Sequence, residues 1–146
     1  MRLIETDFYV PHKIETMKTD YKPEGYNSVS PYFVVDGAGK LMSLLVKIFD
    51  AEALRKYDMP DGPIMHAELR IDDSILMFGD SSAQFPPNQL LTHIYVPDVD
   101  QTFKNAMDLG CEPLEIPTAK EGDPDRRGSF RDFAGNVWAV GTQQIK

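Results

Sequence analysis

Cysteine is nearly absent from the sequence, and so are long apolar runs. Cys111 is the only cysteine among 146 residues, which excludes an intrachain disulfide and is typical of a reducing compartment. No stretch approaches the roughly 20 consecutive apolar residues that a membrane-spanning helix needs. The first residues include Glu5 and Asp7 rather than the apolar run of a signal peptide. We therefore expect a cytoplasmic protein with no membrane partner.

Positive charge and glycine-rich loops are also scarce. Lysine and arginine number 15 against 23 acidic residues, giving a net charge of -8, whereas proteins that bind duplex nucleic acid present a basic patch. No Walker-type or dinucleotide-type glycine motif occurs in the sequence, so no nucleotide cofactor is expected. The composition favours a globular domain that binds neither nucleic acid nor nucleotide.

The first half of the chain has the pattern of one strand, one helix and three strands. Residues 1–24 are interpreted as an N-terminal extension with one short strand at 7–10. A β-branched and aromatic run at 29–35 predicts a strand. A helix is predicted over 38–49, where apolar residues follow i, i+3, i+4, i+7 spacing. Strands are predicted at 53–59, 65–71 and 74–78, which gives a first module at about 28–80.

The second half repeats this order after a linker at about 81–89. A strand is predicted at 91–96, then a helix capped by Asp98 or Asp100 and ended by Gly110. Strands at 114–116, 129–133 and 137–141 complete a second module at about 90–144. Residues 125–128 are interpreted as a solvated charged turn, with an anion-binding loop as the alternative. The two helices begin about 60 residues apart, a period typical of duplicated supersecondary units.

Four strings carry a resemblance to a known family: PEGYNSVSPYFVVDGA, MPDGPIMHAELRIDDSILMFGD, THIYVPDVDQTF and DRRGSFRDFAGNVW. In order and spacing they resemble the vicinal oxygen chelate superfamily, in its glyoxalase/bleomycin-resistance/dioxygenase-like branch. The resemblance implies an α+β domain over residues 25–146, in which two βαβββ modules form a curved mixed sheet around a cavity. It also implies a homodimer. This fold hosts isomerases, dioxygenases, transferases and drug-sequestering proteins, so it does not settle the function.

The resemblance also implies where a metal would bind. Metal-dependent members place four ligands on the first and last strands of each module, and these positions fall near Ser30, Met77, His93 and Ala139. Of these, only His93 is a good ligand for a divalent ion. We therefore predict no metal site and no cofactor.

The hairpin around Asp72 and Asp73 predicts a different polar site. If these two residues form the turn, Glu68 pairs with Met77, and strand alternation puts His66 and Glu68 on the face of Met77. The predicted ligand-binding residues are His66, Glu68, His93, Tyr95 and Trp138. The alternative is a solvated strand face, since a shift of one residue turns His66 and Glu68 outward.

Three function classes follow from these features. The first is a small-molecule-binding protein with a degraded metal site, serving sequestration or resistance. The second is a lyase, isomerase or dioxygenase-like enzyme that acts on a small oxygenated substrate through a relocated site, with Glu68 or a histidine as general base. The third is a structural or regulatory dimer with a vestigial cavity. The sequence identifies no catalytic residue.

Overall fold

The computed structural model describes residues 21–144 as two βαβββ modules, which confirms the predicted α+β fold class. The first module contains β1 (Tyr32–Val35), α1 (Ala38–Phe49), β2 (Glu52–Asp58), β3 (Ile64–Ile71) and β4 (Ser74–Asp80). The second contains β5 (Leu91–Tyr95), α2 (Val99–Asp108), β6 (Glu112–Ala119), β7 (Asp125–Arg131) and β8 (Val137–Gln143). The strand predicted at residues 7–10 lies outside the described residues.

The two modules have the same sheet topology. The strand orders are β1-β4-β3-β2 and β5-β8-β7-β6. In each sheet the first strand runs parallel to the last, and the remaining neighbours are antiparallel. The repeat predicted from the sequence is therefore a repeat of structure.

Local sequence explains both helices. Helix α1 spans the predicted residues 38–49 and buries Leu41, Leu45 and Ile48 along one side. Helix α2 begins after Asp98, whose side chain accepts a hydrogen bond from the Gln101 backbone N–H at 3.1 Å. Of the two caps considered, Asp98 is the one used. No helix in the range 21–144 is long and apolar enough to cross a membrane.

The helix-bearing faces of the two modules share one hydrophobic core. The Phe33 ring of β1 stacks on Phe78 of β4 and on Trp138 of β8, both with centroids 5.2 Å apart. Helices α1 and α2 also contact each other. The opposite side of each sheet, which we call the open face, is consequently left for polar side chains.

The charged run at residues 125–128 is strand rather than loop, which corrects the sequence interpretation. These residues form the first half of β7 and pair with residues 140–143 of β8. Their charges are compatible with a strand because each has a partner. Arg126 makes two hydrogen bonds to Asp100, at 2.8 and 2.9 Å, and Arg127 lies 2.9 Å from Asp125.

Candidate functional site

The β3–β4 hairpin has the predicted register. Ile71 pairs with Ser74 and Glu68 pairs with Met77 across a turn made of Asp72 and Asp73. Asp72 adopts a positive φ of 53°, which aspartate tolerates better than most residues. Side chains alternate along a strand, so His66 and Glu68 lie with Met77 on the open face.

On this face four side chains form a continuous chain of hydrogen bonds, which we call the carboxylate site: Tyr32, His66, Glu68 and Tyr26. The Tyr32 hydroxyl lies 2.8 Å from His66 Nδ1, and His66 Nε2 lies 2.8 Å from Glu68 Oε2. The Tyr26 hydroxyl donates to the other carboxylate oxygen, Oε1, at 2.5 Å. A proton on His66 Nε2 satisfies every contact, because Tyr32 then donates to Nδ1 and His66 donates to Glu68.

Glu68 is a buried carboxylate that remains ionised. Its side chain is 2% exposed. Burial alone acts to raise its pKa, but hydrogen bonds from Tyr26 and His66 and the nearby charge of Arg55 outweigh that effect. The net result is a pKa below the usual value for glutamate. At neutral pH Glu68 is therefore a negative hydrogen-bond acceptor, and its two oxygens are bonded to Tyr26 and His66.

The two phenols of the site stay protonated. Burial and the charge of Glu68 raise the pKa of Tyr32. The hydrogen bond to Glu68, with burial second, raises the pKa of Tyr26. Both hydroxyls are consequently donors over the physiological range.

Sequence reasoning missed Tyr26 as a site residue. It lies outside the two sheets, in a turn where its backbone N–H donates to the Pro23 carbonyl at 3.2 Å. Tyr26 and Glu68 are 42 residues apart in the chain, and no periodicity relates an irregular segment to a strand. Only the path of the folded chain brings the two together.

His93 and Tyr95 belong to a second cluster, on the open face of the second module. The Tyr95 hydroxyl donates to Asp125 Oδ2 at 2.6 Å, and Arg127 lies 3.5 Å from His93 Nε2. The His93 ring meets Tyr95 edge-on at 4.7 Å. Both residues line a cavity of about 460 Å³ beside the β3–β4 turn, and neither His66 nor Glu68 lines that cavity. The structure thus does not join His93 to the carboxylate site.

Trp138 lies in the core, which corrects the expectation that it walls a ligand pocket. Its side chain is 0% exposed, and its indole N–H donates to Asp132 Oδ2 at 2.8 Å. The neighbouring Ala139 pairs with His93 and so shares the open face with it. Because adjacent residues of a strand point in opposite directions, Trp138 must face the helices.

The last strand of each module carries a glycine on the open face. Gly79 and Gly141 occupy matching places in the last strand of each module. A Cβ added at Gly79 would lie 3.0 Å from the Met65 carbonyl oxygen, tighter than an ordinary contact, whereas one at Gly141 would meet His93 Nε2 at an ordinary 3.5 Å. Gly79 therefore allows β4 to pass close to the backbone of β3.

Two mycobacterial proteins are similar in sequence to this chain. An uncharacterised protein of Mycobacterium tuberculosis strain H37Rv is 32% identical over 140 residues, which cover 87% of this chain and 78% of that protein. An uncharacterised protein of Mycobacterium bovis is 33% identical over 127 residues, covering 78% of this chain and 82% of that protein. No protein-family model matches the chain.

Solved structures with the same fold include PA1353 from Pseudomonas aeruginosa, with a TM-score of 0.65 and 21% identity over 82% of this chain and 99% of that one. TioX from Micromonospora sp. ML1 gives a TM-score of 0.64 at 20% identity, covering 82% and 98% of the two chains. The fosfomycin resistance protein FosX from Listeria monocytogenes gives 0.62 at 14% identity, covering 82% and 91%, and that protein was solved with Mn(II) and sulfate. The chain belongs to the same family as the two mycobacterial proteins and has the fold of these solved structures, in agreement with the fold that the sequence resemblance predicts.

The four side chains at the positions that the sequence resemblance assigns to a metal do not suit a divalent ion. The four positions matched from the sequence carry the Ser30 hydroxyl, the Met77 thioether, the His93 imidazole and the Ala139 methyl. His93 Nε2 also lies 3.5 Å from the Arg127 guanidinium, a cation that disfavours a divalent ion beside it. In the part of the chain that the structure describes, no three His, Cys, Asp or Glu side chains form a group suited to a metal ion. Together, the side chains of Ser30, Met77, His93 and Ala139 do not make the donor set that a divalent metal requires.

Proposed function

We propose that this protein binds a small hydroxylated molecule without a metal ion, at the carboxylate site of the first module. The observation that carries the proposal is Glu68, a carboxylate that is 2% exposed and is held by His66 at 2.8 Å. Its other oxygen accepts a hydrogen bond from a hydroxyl. Keeping a charge buried is unfavourable unless it is well bonded, and an aimed, ionised acceptor is suited to binding a hydroxyl donor.

A sequestration or resistance role fits this binding site. The same fold is found in FosX, named a fosfomycin resistance protein, so the architecture suits capture of small oxygenated molecules. Fold alone does not assign the ligand, and the proposal therefore rests on Glu68 and His66.

The second candidate function is a lyase, isomerase or dioxygenase-like enzyme. It is favoured by His66, which lies between the Tyr32 hydroxyl and Glu68 with both contacts at 2.8 Å. In this arrangement Glu68 would accept the proton of a bound hydroxyl as general base and return it to the product, while His66 holds the carboxylate in place through its Nε2–H. Recovery of the ligand unchanged after long incubation favours binding, whereas a product of altered mass favours this alternative.

The test of the proposed function is a binding screen in the presence of EDTA. Ligand-observed NMR with a panel of phenols, cyclohexanol and other small alcohols should reveal Glu68-dependent binders. Glu68→Gln should weaken these binders about ten-fold or more, because a charged acceptor is lost. Affinity should persist as the pH is lowered into the usual titration range of glutamate and fall only below that range, when the carboxylate takes up a proton, because the pKa of Glu68 is lowered.

Glu115→Gln is the matched control, because Glu115 is a strand glutamate paired with Lys120 at 3.4 Å in the other module. It should leave the affinities unchanged. Two outcomes contradict the proposal: no panel member binds, or elemental analysis finds about one divalent metal per chain that His93→Ala removes.

We also propose a homodimer. Leu91 of β5 and Ile116 of β6 are exposed on the second module, and exposed apolar side chains on two strands of one sheet favour an interface between copies. Light scattering at micromolar concentration should give twice the mass of one chain, and Leu91→Asp combined with Ile116→Asp should lower it to a single chain. A monomeric mass for the unmodified protein would contradict the proposal.

A further inference from the structure

Residues 22–28, which we call the strap, carry Tyr26 across the open face of the first module. We propose that Tyr26 is an internal ligand: its side chain occupies a phenol-recognition site, and the molecule that this site binds is a phenol that displaces it. This inference rests on the proposed function and names its ligand class and its regulation.

Tyr26 makes one contact through its hydroxyl and one through its aromatic ring, which are the two parts of a phenol. Its hydroxyl donates to Glu68 Oε1 at 2.5 Å, and the Arg55 guanidinium lies 5.1 Å from the centre of its ring. The first contact requires a hydrogen-bond donor, and the second requires an aromatic face, which attracts a cation through its quadrupole. Both requirements are met by one phenolic ring.

Other ligand classes satisfy only part of this arrangement. An aliphatic alcohol donates to Glu68 but offers nothing to Arg55. An anion is repelled by the buried carboxylate, which is ionised. A cationic amine pairs with Glu68 but is repelled by Arg55 and Arg70. Both positive charges are close enough to Tyr26 to act on its pKa electrostatically, in the lowering direction. The site therefore favours a neutral ring that carries a hydroxyl.

The strap is held in a way that allows displacement. Its other side-chain hydrogen bond among the described residues is internal, from Lys22 Nζ to Ser28 Oγ at 3.4 Å on the exposed side. Tyr21 before the strap and Val29 after it are both exposed. Tyr26 is therefore the side chain through which the strap is hydrogen-bonded to the sheet within residues 21–144.

An internal ligand lowers the apparent affinity for an external one. A free phenol binds only the fraction of molecules in which Tyr26 has left, so its apparent affinity is reduced by that fraction. Removing Tyr26 should therefore strengthen binding of a phenol, whereas removal of an ordinary contact residue weakens it. The direction of the affinity change therefore distinguishes an internal ligand from a residue that merely lines the pocket.

The experiment uses p-cresol, which is the tyrosine side chain as a free molecule, and measures its affinity by calorimetry or NMR titration. Tyr26→Ala should bind p-cresol about ten-fold or more tightly than the unmodified protein. Adding Glu68→Gln to Tyr26→Ala should remove that gain in affinity. Toluene lacks the hydroxyl and cyclohexanol lacks the aromatic ring, so each should bind Tyr26→Ala about ten-fold more weakly than p-cresol does. Tyr21→Ala is the matched control and should behave as the unmodified protein.

The proposal is overturned if Tyr26→Ala, folded by circular dichroism, binds p-cresol no more tightly than the unmodified protein, or if its gain survives Glu68→Gln. Should Tyr26→Ala fail to fold, Tyr26→Phe replaces it, since loss of the Glu68 hydrogen bond should also favour p-cresol. If cyclohexanol binds the unmodified protein through Glu68 and Tyr26→Ala changes nothing, the internal ligand is disproved while the proposed function stands. If no hydroxylated compound binds any variant, both are disproved.

Discussion

Replacing Trp138 with alanine is expected to lower the free energy of unfolding by about 3–5 kcal/mol, the range for deleting a large buried aromatic side chain. The Trp138 ring is fully buried, stacks on Phe33 at 5.2 Å and meets Phe49 at 5.6 Å. Its removal also leaves Asp132 Oδ2 without the indole N–H that lies at 2.8 Å. Urea denaturation followed by circular dichroism measures the loss.

Trp138→Phe is the informative companion because it keeps an aromatic ring in the core. It should cost less stability than Trp138→Ala, and the folded protein should bind p-cresol with unchanged affinity, because Trp138 faces the helices. A weaker p-cresol affinity in a stable Trp138→Phe protein would place this residue in the binding site and contradict the structure.

Replacing Asp80 with alanine is expected to lower the free energy of unfolding by about 2–4 kcal/mol, because three part-buried N–H groups lose a charged acceptor at once. Asp80 Oδ1 accepts from the N–H groups of Gly37 and Ala38 at 3.2 and 2.8 Å, and Oδ2 accepts from that of Ile64 at 2.7 Å. Helix α1 has Gly37 at its N-cap, with no side chain to serve this purpose. Asp80 therefore caps α1 from the end of β4 and also fixes the start of β3.

The control is Asp98→Ala, which removes the ordinary cap of α2, a single hydrogen bond of 3.1 Å. That change should cost about 1 kcal/mol. Denaturation curves of the two variants, recorded under the same conditions, give the comparison. Equal losses for Asp80→Ala and Asp98→Ala would show that the three bonds of Asp80 do not act together.

The alternation of side chains along strands predicts much of the candidate site. Applied to β8 as well, it would have placed Trp138 in the core rather than in the ligand pocket. The two-residue turn at Asp72 and Asp73 predicts the pairing of Glu68 with Met77, and the structure confirms it. The same alternation, applied to β8, excludes Trp138 from the face of Ala139. The charged residues at 125–128 were wrongly predicted to form a turn. Their charges are compensated within a strand by partners that include Asp100, which is distant in the chain and is not indicated by local sequence.

The sequence by itself determined the elements whose signals are local: helix α1, the hairpin register and the repeated strand order. The tertiary structure alone decided which surfaces meet. Because the modules pack through their helix-bearing faces, His93 joins Arg127 and Tyr95 rather than Glu68. The hydrogen bond from Tyr26 to Glu68 spans 42 residues. Periodicity describes neighbours within an element, whereas a contact of that range depends on how the whole chain folds back on itself.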